Sequence, residues 1–146
     1  MRLICILAAM LAVVGLAGAD AKKDAAAAKK MLGTWKLTSG TMAGGPFPEE
    51  IVKTLRLELT DGKYKLTGAE SPDVGTWKLN ADTKPMTIDI TGTDGPNKGK
   101  TILGIVEINK DKMKVCYELS GKSRPAKFES KAKTLLFLAE YARVKR

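Results

Sequence analysis

Apolar and polar residues alternate along most of this chain, with the period of two that is typical of β-strands. The clearest example is LRLELT at 55–60, in which every second residue is a leucine. The same alternation occurs in GTWKL, at 33–37 and again at 75–79. Turn sequences such as DGK at 61–63 separate these runs, and the glycine suits a tight hairpin. The pattern predicts eight strands joined mostly by short turns.

One segment between the first and second strands favours a helix. In PEEIVKTL, at 48–55, Pro48 suits a first helical turn, and two glutamates follow at the positive end of the helix dipole. Eight antiparallel strands in sequence order, with one buried face, close most simply into an up-and-down barrel without exposed edges. We therefore predict an all-β, eight-stranded barrel with one short helix between strands 1 and 2. The alternative is a two-sheet β-sandwich built from the same strands.

The alternation also assigns one set of side chains to the barrel interior, where we expect them to line a ligand-binding cup. The two GTWKL copies have unrelated flanking residues, so they do not mark a duplicated unit. Because successive strands run in opposite directions, we expect the two tryptophans to lie near opposite barrel ends. The predicted interior residues are Trp35, Leu57, Tyr64, Trp77, Ile88 and Tyr117.

The first 19 residues have the pattern of a secretory signal peptide. Arg2 is followed by an apolar run that ends in the small residues AGA at 17–19. A transmembrane anchor is the alternative, but the run is near the short end for a span of about 20 residues. We predict a signal peptide at 1–19 and export to the periplasm or medium. Residues 20–31 are rich in alanine and lysine and predict a tether with no face that docks, followed by a barrel domain at 32–146.

Charge and composition exclude several functions. The chain has 25 Lys and Arg against 16 Asp and Glu, and loss of residues 1–19 would lower the net charge from +9 to +8. Histidine is absent, which removes Ser-His and Cys-His catalysis and the commonest zinc ligand. We expect no enzyme activity, no metal, no cofactor and a monomer. The lysines are dispersed, which favours anionic envelope polymers or lipid surfaces over a specific nucleic-acid partner.

Two further motifs resemble catalytic or phosphate sites only superficially. Asp82, Asp89, Asp94 and Glu107 raise the question of a paired-carboxylate hydrolase. Alternation points Asp89 outward, and nothing in the pattern brings two of these carboxylates together. The sequence GPNKGK at 95–100 has the glycines and lysines of a phosphate loop, but a strand follows it rather than a helix. We interpret it as a cationic hairpin loop.

After removal of the signal peptide Cys116 is the single cysteine, and it is either buried or reactive. Alternation points it away from the face of Met113, and the neighbouring Lys114 favours a reactive thiol by lowering its pKa. Burial requires cover from another segment, either the loop at 120–128 or the tether. The pattern leaves both readings open.

The start of the barrel resembles that of lipocalin-type proteins. Gly33-x-Trp35 lies near the start of the first strand, and the one helix follows in the first long connection. The resemblance implies that the indole closes one barrel end and that an arginine from late in the chain packs on it. Both Arg124 and Arg143 are candidates. Arg124, with Phe128 after a rigid Pro turn, also predicts a latch that closes one end, with the arginine on a tryptophan or a carboxylate, and an anion-binding arginine is the alternative.

A second resemblance covers residues 32–143. The segments LGTWKL, the PEE helix start, PMTIDITGTDGPNKGKTILGIVEI, DKMKVCYEL and RPAKF occur in the order seen in a family of small exported domains abundant in planctomycete bacteria. The resemblance implies export and a lipocalin-like barrel, but no reaction. Val106 departs from this pattern, since an aromatic residue is usual there.

Two hypotheses for function follow. The first is an exported lipocalin-like domain that binds a small apolar or amphipathic ligand inside the barrel. The second is a non-catalytic, envelope-associated interaction domain that uses a basic outer surface.

Overall fold

The structure is a computed structural model that describes residues 16–146. Most of the predicted signal peptide lies outside the described residues, so its cleavage stays a prediction. Among the described helices, none is long and apolar enough to cross a membrane. The helices are α1 (Leu16–Met31) and α2 (Glu49–Thr54). The strands are β1 (Gly33–Met42), β2 (Gly45–Pro46), β3 (Arg56–Thr60), β4 (Lys63–Thr67), β5 (Asp73–Asn80), β6 (Met86–Asp94), β7 (Thr101–Asn109), β8 (Lys112–Glu118) and β9 (Leu136–Arg143).

The eight long strands form one closed antiparallel sheet. Each pairs with the next in chain order, and β9 pairs back onto β1 from Trp35↔Arg143 to Met42↔Phe137. The two residues of β2 extend a hairpin at the end of β1. The predicted eight-stranded up-and-down barrel, with a short helix after the first strand, is confirmed. A sandwich would leave two sheets with free edges, whereas here β1 carries both β3 and β9.

The alternating strand directions give the barrel two different ends. We call one the closed end: it contains the C-terminus of α1, the start of β1 and the β3–β4, β5–β6 and β7–β8 turns. We call the other the open end: it contains α2 and the β4–β5, β6–β7 and β8–β9 connections. Every strand runs from one end to the other, so a residue's position along its strand tells at which end its side chain lies.

The core lies inside the barrel and follows the period of two. In β3, Leu57 and Leu59 are buried while Glu58 and Thr60 are exposed. The structure places all six predicted interior side chains inside the barrel, with exposed fractions from 0% for Trp35 to 9% for Tyr117. Val106, at the position of the departing residue, is also fully buried.

Helix α1 is docked on the closed end rather than detached from it. Met31 is completely buried in the core, and Ala28 packs against the same cluster. The Asp24 carboxylate accepts a hydrogen bond from the backbone N–H of Ala81 at 2.7 Å, which holds the helix against the β5–β6 turn. The expectation that residues 20–31 have no face that docks is therefore wrong, because Met31, Ala28 and Asp24 all contact the barrel.

The connection between β8 and β9, residues 119–135, crosses the outer wall of the barrel. Arg124 holds it there, donating a hydrogen bond of 2.7 Å to the carbonyl of Gly104 and forming an ion pair of 2.6 Å with Asp89. Cys116 lies beneath this connection, fully buried, and its thiol donates to the carbonyl of Glu129 at 3.3 Å. Burial raises the pKa of Cys116, so the reading of a buried cysteine is the one the structure shows.

Candidate ligand-binding site

The closed end is sealed by Trp35 and Arg143. The buried indole donates a hydrogen bond from Nε1 to the carbonyl of Met31 at 2.8 Å. The Arg143 guanidinium lies 4.2 Å from the ring centre and donates to the carbonyls of Leu32 and Lys30, both at 2.6 Å. A planar cation on an aromatic face is a stabilising contact, and here it also ties β9 to the end of α1.

This arrangement explains the glycine that precedes Trp35 by two positions. Gly33 has a φ of 127°, a backbone angle that residues with a side chain rarely adopt. A Cβ there would lie 3.0 Å from a guanidinium nitrogen of Arg143. Between the two predicted candidates, it is therefore Arg143 that packs on Trp35. Arg124 and Phe128 lie on the outer wall instead, where Lys114 sits over the Phe128 ring at 5.6 Å. The expected contact of the arginine with a carboxylate is present, between Arg124 and Asp89, but the expectation that Arg124 and Phe128 close a barrel end is wrong.

The second tryptophan also belongs to the closed end. Trp77 donates from its indole Nε1 to the carbonyls of Thr60 and Lys63, at 3.1 and 3.0 Å, in the β3–β4 turn. That turn adjoins the start of β1, since Gly33 pairs with Leu59. The prediction of opposite ends is wrong because Trp77 is the fifth of eight residues in a strand that starts at the open end.

Beyond these indoles the barrel contains a cavity of about 80 Å³. Four of the predicted interior residues line it, whereas Trp35 and Trp77 lie outside its lining. That volume is several times the ~10–15 Å³ that one water needs and about half the ~150 Å³ of an engineered cavity that holds benzene. The barrel is thus nearly filled by its own side chains but not solid. The four lining residues are Leu57, Tyr64, Ile88 and Tyr117.

The open end has no buried indole. The side chains that line the cavity there are apolar and half-buried, and one of them, Phe137, stacks on Phe47 with ring centres 4.9 Å apart. Helix α2 lies beside them, joined to the end of β4 by a 2.9 Å hydrogen bond from the Thr54 hydroxyl to the carbonyl of Gly68. The half-buried lining residues are Leu66, Ile90, Leu119 and Phe137.

One carboxylate lies among these apolar side chains. Asp73, the first residue of β5, lines the cavity and has an exposed fraction of 5%. It accepts hydrogen bonds from the Tyr64 hydroxyl at 3.2 Å, from the Asn97 side chain at 2.6 Å and from the Asn97 backbone N–H at 3.2 Å. Desolvation and then the Asp73 charge raise the pKa of Tyr64, so the phenol stays protonated and donates.

Asp73 was missed among the predicted site residues, although a signal for it exists. Counting back by twos from the inward Trp77 reaches Gly75 and then Asp73, so strict alternation already points the carboxylate inward. Gly75 is required beside this cluster, because a Cβ there would clash with the backbone carbonyl of Thr91 and would lie 2.7 Å from the Tyr64 ring. Asn97 comes from the GPNKGK loop, whose lack of period gives no sign of which side chain turns toward the barrel.

The structure does not bring the other acidic candidates together. Asp89 is bound to Arg124 on the outer wall, Asp82 pairs with Lys23 near α1, and Asp94 and Glu107 are exposed. Within residues 16–146, no group of three or more Cys, Asp or Glu side chains is arranged to hold a metal ion.

Fold and site together define the class: a closed eight-stranded antiparallel β-barrel with one sealed end and a small apolar cavity that reaches a buried carboxylate. Comparisons with protein-family models, curated proteins and solved structures find no significant match to this chain. The resemblance to exported planctomycete domains therefore stays a prediction, and the functional argument rests on the geometry.

Proposed function

We propose that this chain is an exported binding protein that holds a small apolar or amphipathic molecule inside its barrel. The observation that supports this most is the internal cavity, sealed at one end and lined at the other by half-buried apolar side chains. A barrel that served only as a scaffold would be expected to fill its interior, since eight strands enclose little more space than side chains can occupy.

The cavity volume limits the ligand. Pockets for drug-sized molecules are about 300–1,000 Å³, which is several times larger. At about 80 Å³ the interior has room for roughly three to five heavy atoms, by comparison with the benzene-sized engineered cavity. Burial of each methylene contributes about 0.8 kcal/mol, so a four-carbon chain gains about 3 kcal/mol and binds in the millimolar range.

A titration with 1-butanol, followed by amide chemical shifts, tests the proposal. We expect saturable shifts at interior residues such as Ile88 and Tyr117. The Val115→Ile substitution adds one methylene to the cavity lining and should weaken binding several-fold, because the added group occupies part of the free volume. Val74→Ile makes the same chemical change on the outward face of β5 and is the matched control.

Two results would count against the proposal. One is a set of linear, non-saturating shifts spread over the outer surface. The other is equal affinity in the Val115→Ile and Val74→Ile variants, which would place the alcohol outside the barrel.

Export is the second part of the proposal and rests on the pattern of residues 1–19. Expression of the full chain in a bacterium, with mass spectrometry of the product, tests it. The expected product starts at Asp20 or Lys22 and is found outside the cytoplasm. Retention of residues 1–19 in the purified protein would contradict this part while leaving ligand binding untouched.

A basic outer surface is the second candidate function, and the distribution of lysines at the closed end favours it. Lys29 and Lys30 end α1, while Lys110 and Lys112 flank the β7–β8 turn, and all four are exposed. Binding to anionic vesicles should fall with salt, and a variant with these four lysines changed to glutamine should bind more weakly. Retention that is the same at low and high salt would argue against this function.

A further inference from the structure

We infer that the cavity selects a small alkylammonium ion, with its charged head on Asp73 and its carbon chain in the apolar interior. The inference rests on the proposed function, because it names the chemical class of the molecule that the barrel holds.

The Asp73 carboxylate is buried without a partner of opposite charge among the described residues. It is removed from water, with 5% of its residue surface exposed, and a buried carboxylate is strongly disfavoured unless other groups replace the lost solvent. Its three donors, one from Tyr64 and two from Asn97, are all neutral. None of the ion pairs among the described residues includes Asp73.

The Asp73 carboxylate can still accept one more hydrogen bond. A carboxylate has about four acceptor positions, and three are used by Tyr64 and Asn97. Asp73 itself lines the cavity, and we assign the remaining position, on Oδ1, to a molecule inside it. An ammonium group has three donors, and it can bond to both Asp73 and the oxygen of the Tyr64 hydroxyl.

A purely structural role for Asp73 is the competing interpretation, since Asn97 belongs to the β6–β7 loop that the carboxylate holds. That loop is also closed by its own backbone. Lys98 donates its N–H to the carbonyl of Gly95 at 3.1 Å, and Gly92 donates to Lys100 at 3.0 Å. Holding the loop requires an acceptor but not a charge, and a neutral side chain would serve without the penalty of desolvation.

The net charge of the chain and the Asp73 carboxylate predict opposite preferences for the charge of the ligand. At +9, or +8 after loss of residues 1–19, the protein attracts anions in general, and Lys98 and Lys100 are exposed on the same loop. If the bulk field governed binding, an anionic ligand would be preferred over a cationic one. If the Asp73 carboxylate governs binding, a cationic ligand is preferred over an anionic one.

The test compares three ligands of similar size, n-butylammonium, 1-butanol and butyrate, at constant ionic strength by amide chemical shifts. We expect the dissociation constant of n-butylammonium to be about tenfold below that of 1-butanol, since a hydrogen bond to a charged group is stronger than a neutral one. Butyrate should not bind in the interior. The Asp73→Asn variant should bring the ammonium-to-alcohol ratio close to one.

Asp94→Asn is the matched control. It makes the same change of charge on an exposed acid of the same loop region, with Asp94 paired to Val74, the residue after Asp73. We expect it to leave the ligand preference unchanged. If Asp73→Asn does not fold, Asn97→Ala replaces it: that variant removes only the side-chain amide donor, while the Asn97 backbone N–H and Tyr64 still donate to Asp73, and it should preserve the ammonium preference. Loss of the preference in that variant would show that it depends on the loop and not on the Asp73 carboxylate.

The outcomes separate the inference from the function on which it rests. Interior binding of 1-butanol with equal affinity for n-butylammonium, or an ammonium preference that survives Asp73→Asn, overturns the inference and leaves the proposed function standing. Absence of interior binding by both 1-butanol and n-butylammonium overturns both.

Discussion

Each end of this barrel holds one acidic or basic side chain against the interior, but the two side chains have different partners. At the closed end the Arg143 guanidinium donates to two backbone carbonyls, contacts the Trp35 ring and pairs with Asp111 at 3.1 Å. At the open end the Asp73 carboxylate meets neutral donors, and no described lysine or arginine pairs with it. The first charge has a partner of opposite charge in Asp111, whereas the second meets only neutral groups among the described residues.

This difference indicates that the contacts that stabilise the barrel and the groups available to a ligand lie at different ends. The closed end carries contacts between segments far apart in the chain, so its loss should unfold the protein. The open end carries half-buried apolar side chains and one incompletely matched charge, which is what a ligand can complement.

Trp35→Ala should have the largest effect on stability. The side chain is fully buried, and removal of a buried Trp costs about 3–5 kcal/mol in the free energy of unfolding. Urea denaturation measures this value. Phe137→Ala, at the half-buried open end, is the comparison and should cost clearly less. Equal costs at the two ends would show that this difference between the ends does not hold.

Arg143→Ala should lower the free energy of unfolding by about 2–3 kcal/mol, because two charge-assisted hydrogen bonds and the contact with Trp35 are lost together. Arg143→Lys should recover little of it, since an ammonium cannot form the same planar fork. Denaturant melts check both variants, with the exposed Arg146→Ala as the control. Full recovery by lysine would mean that charge alone, and not the fork, holds the closed end.

Tyr64→Phe should have a smaller effect, about 1 kcal/mol, because one hydrogen bond of 3.2 Å to Asp73 is removed while the ring stays in place. The same denaturant melts measure it. A loss as large as that of Arg143→Ala would show that the Asp73 cluster is a structural centre of equal weight.

Alkaline titration should show the smallest effect, and none at neutral pH. The chain has three tyrosines, and burial raises the pKa of Tyr64, Tyr117 and Tyr141 above the usual value of about 10. The folded protein then keeps phenolic protons that the unfolded chain releases. Stability is therefore unchanged below pH ~10 and falls as pH rises beyond it.

Absorbance at 295 nm measures this titration directly. We expect no tyrosinate signal in the folded protein at pH ~10, where half of the phenols of the urea-unfolded chain are ionised. If the open end admits solvent more readily, Tyr64 should titrate before Tyr141. A signal from one tyrosine near pH ~10 in the folded protein would contradict the burial of that side chain.

Much of the fold could be predicted from the sequence because its strands have one wet and one dry face. Alternation in LRLELT or MTIDIT depends only on that asymmetry, and the turns between them contain suitable residues. The docking of α1 could not be predicted, since it depends on Met31 filling the closed end and on Asp24 reaching a turn that is 57 positions away. Contacts between residues so far apart in the chain leave no periodic pattern in the local sequence.

The site was less accessible to prediction, for a related reason. Interior residues such as Tyr64 and Ile88 follow from alternation, but the volume left between them depends on how large side chains from eight strands pack. The inward direction of Asp73 could be predicted from alternation. Its hydrogen bonds with Asn97 could not, because the loop at 95–100 has no period. The two tryptophans lie near the same end because Trp77 is the fifth residue of β5, so the direction of a strand does not by itself give the end at which a side chain lies.

Closure of the barrel also has a consequence for how the chain folds. Seven of the eight strand pairings join neighbours in sequence, and each can start as a hairpin or short connection. The last pairing joins β1 to β9, and Arg143 reaches a carbonyl 111 positions away. Because a contact of such separation must overcome the entropy of a long loop, we expect closure to limit the folding rate. During synthesis, β1 and β8 therefore have unpaired edges until β9 has left the ribosome.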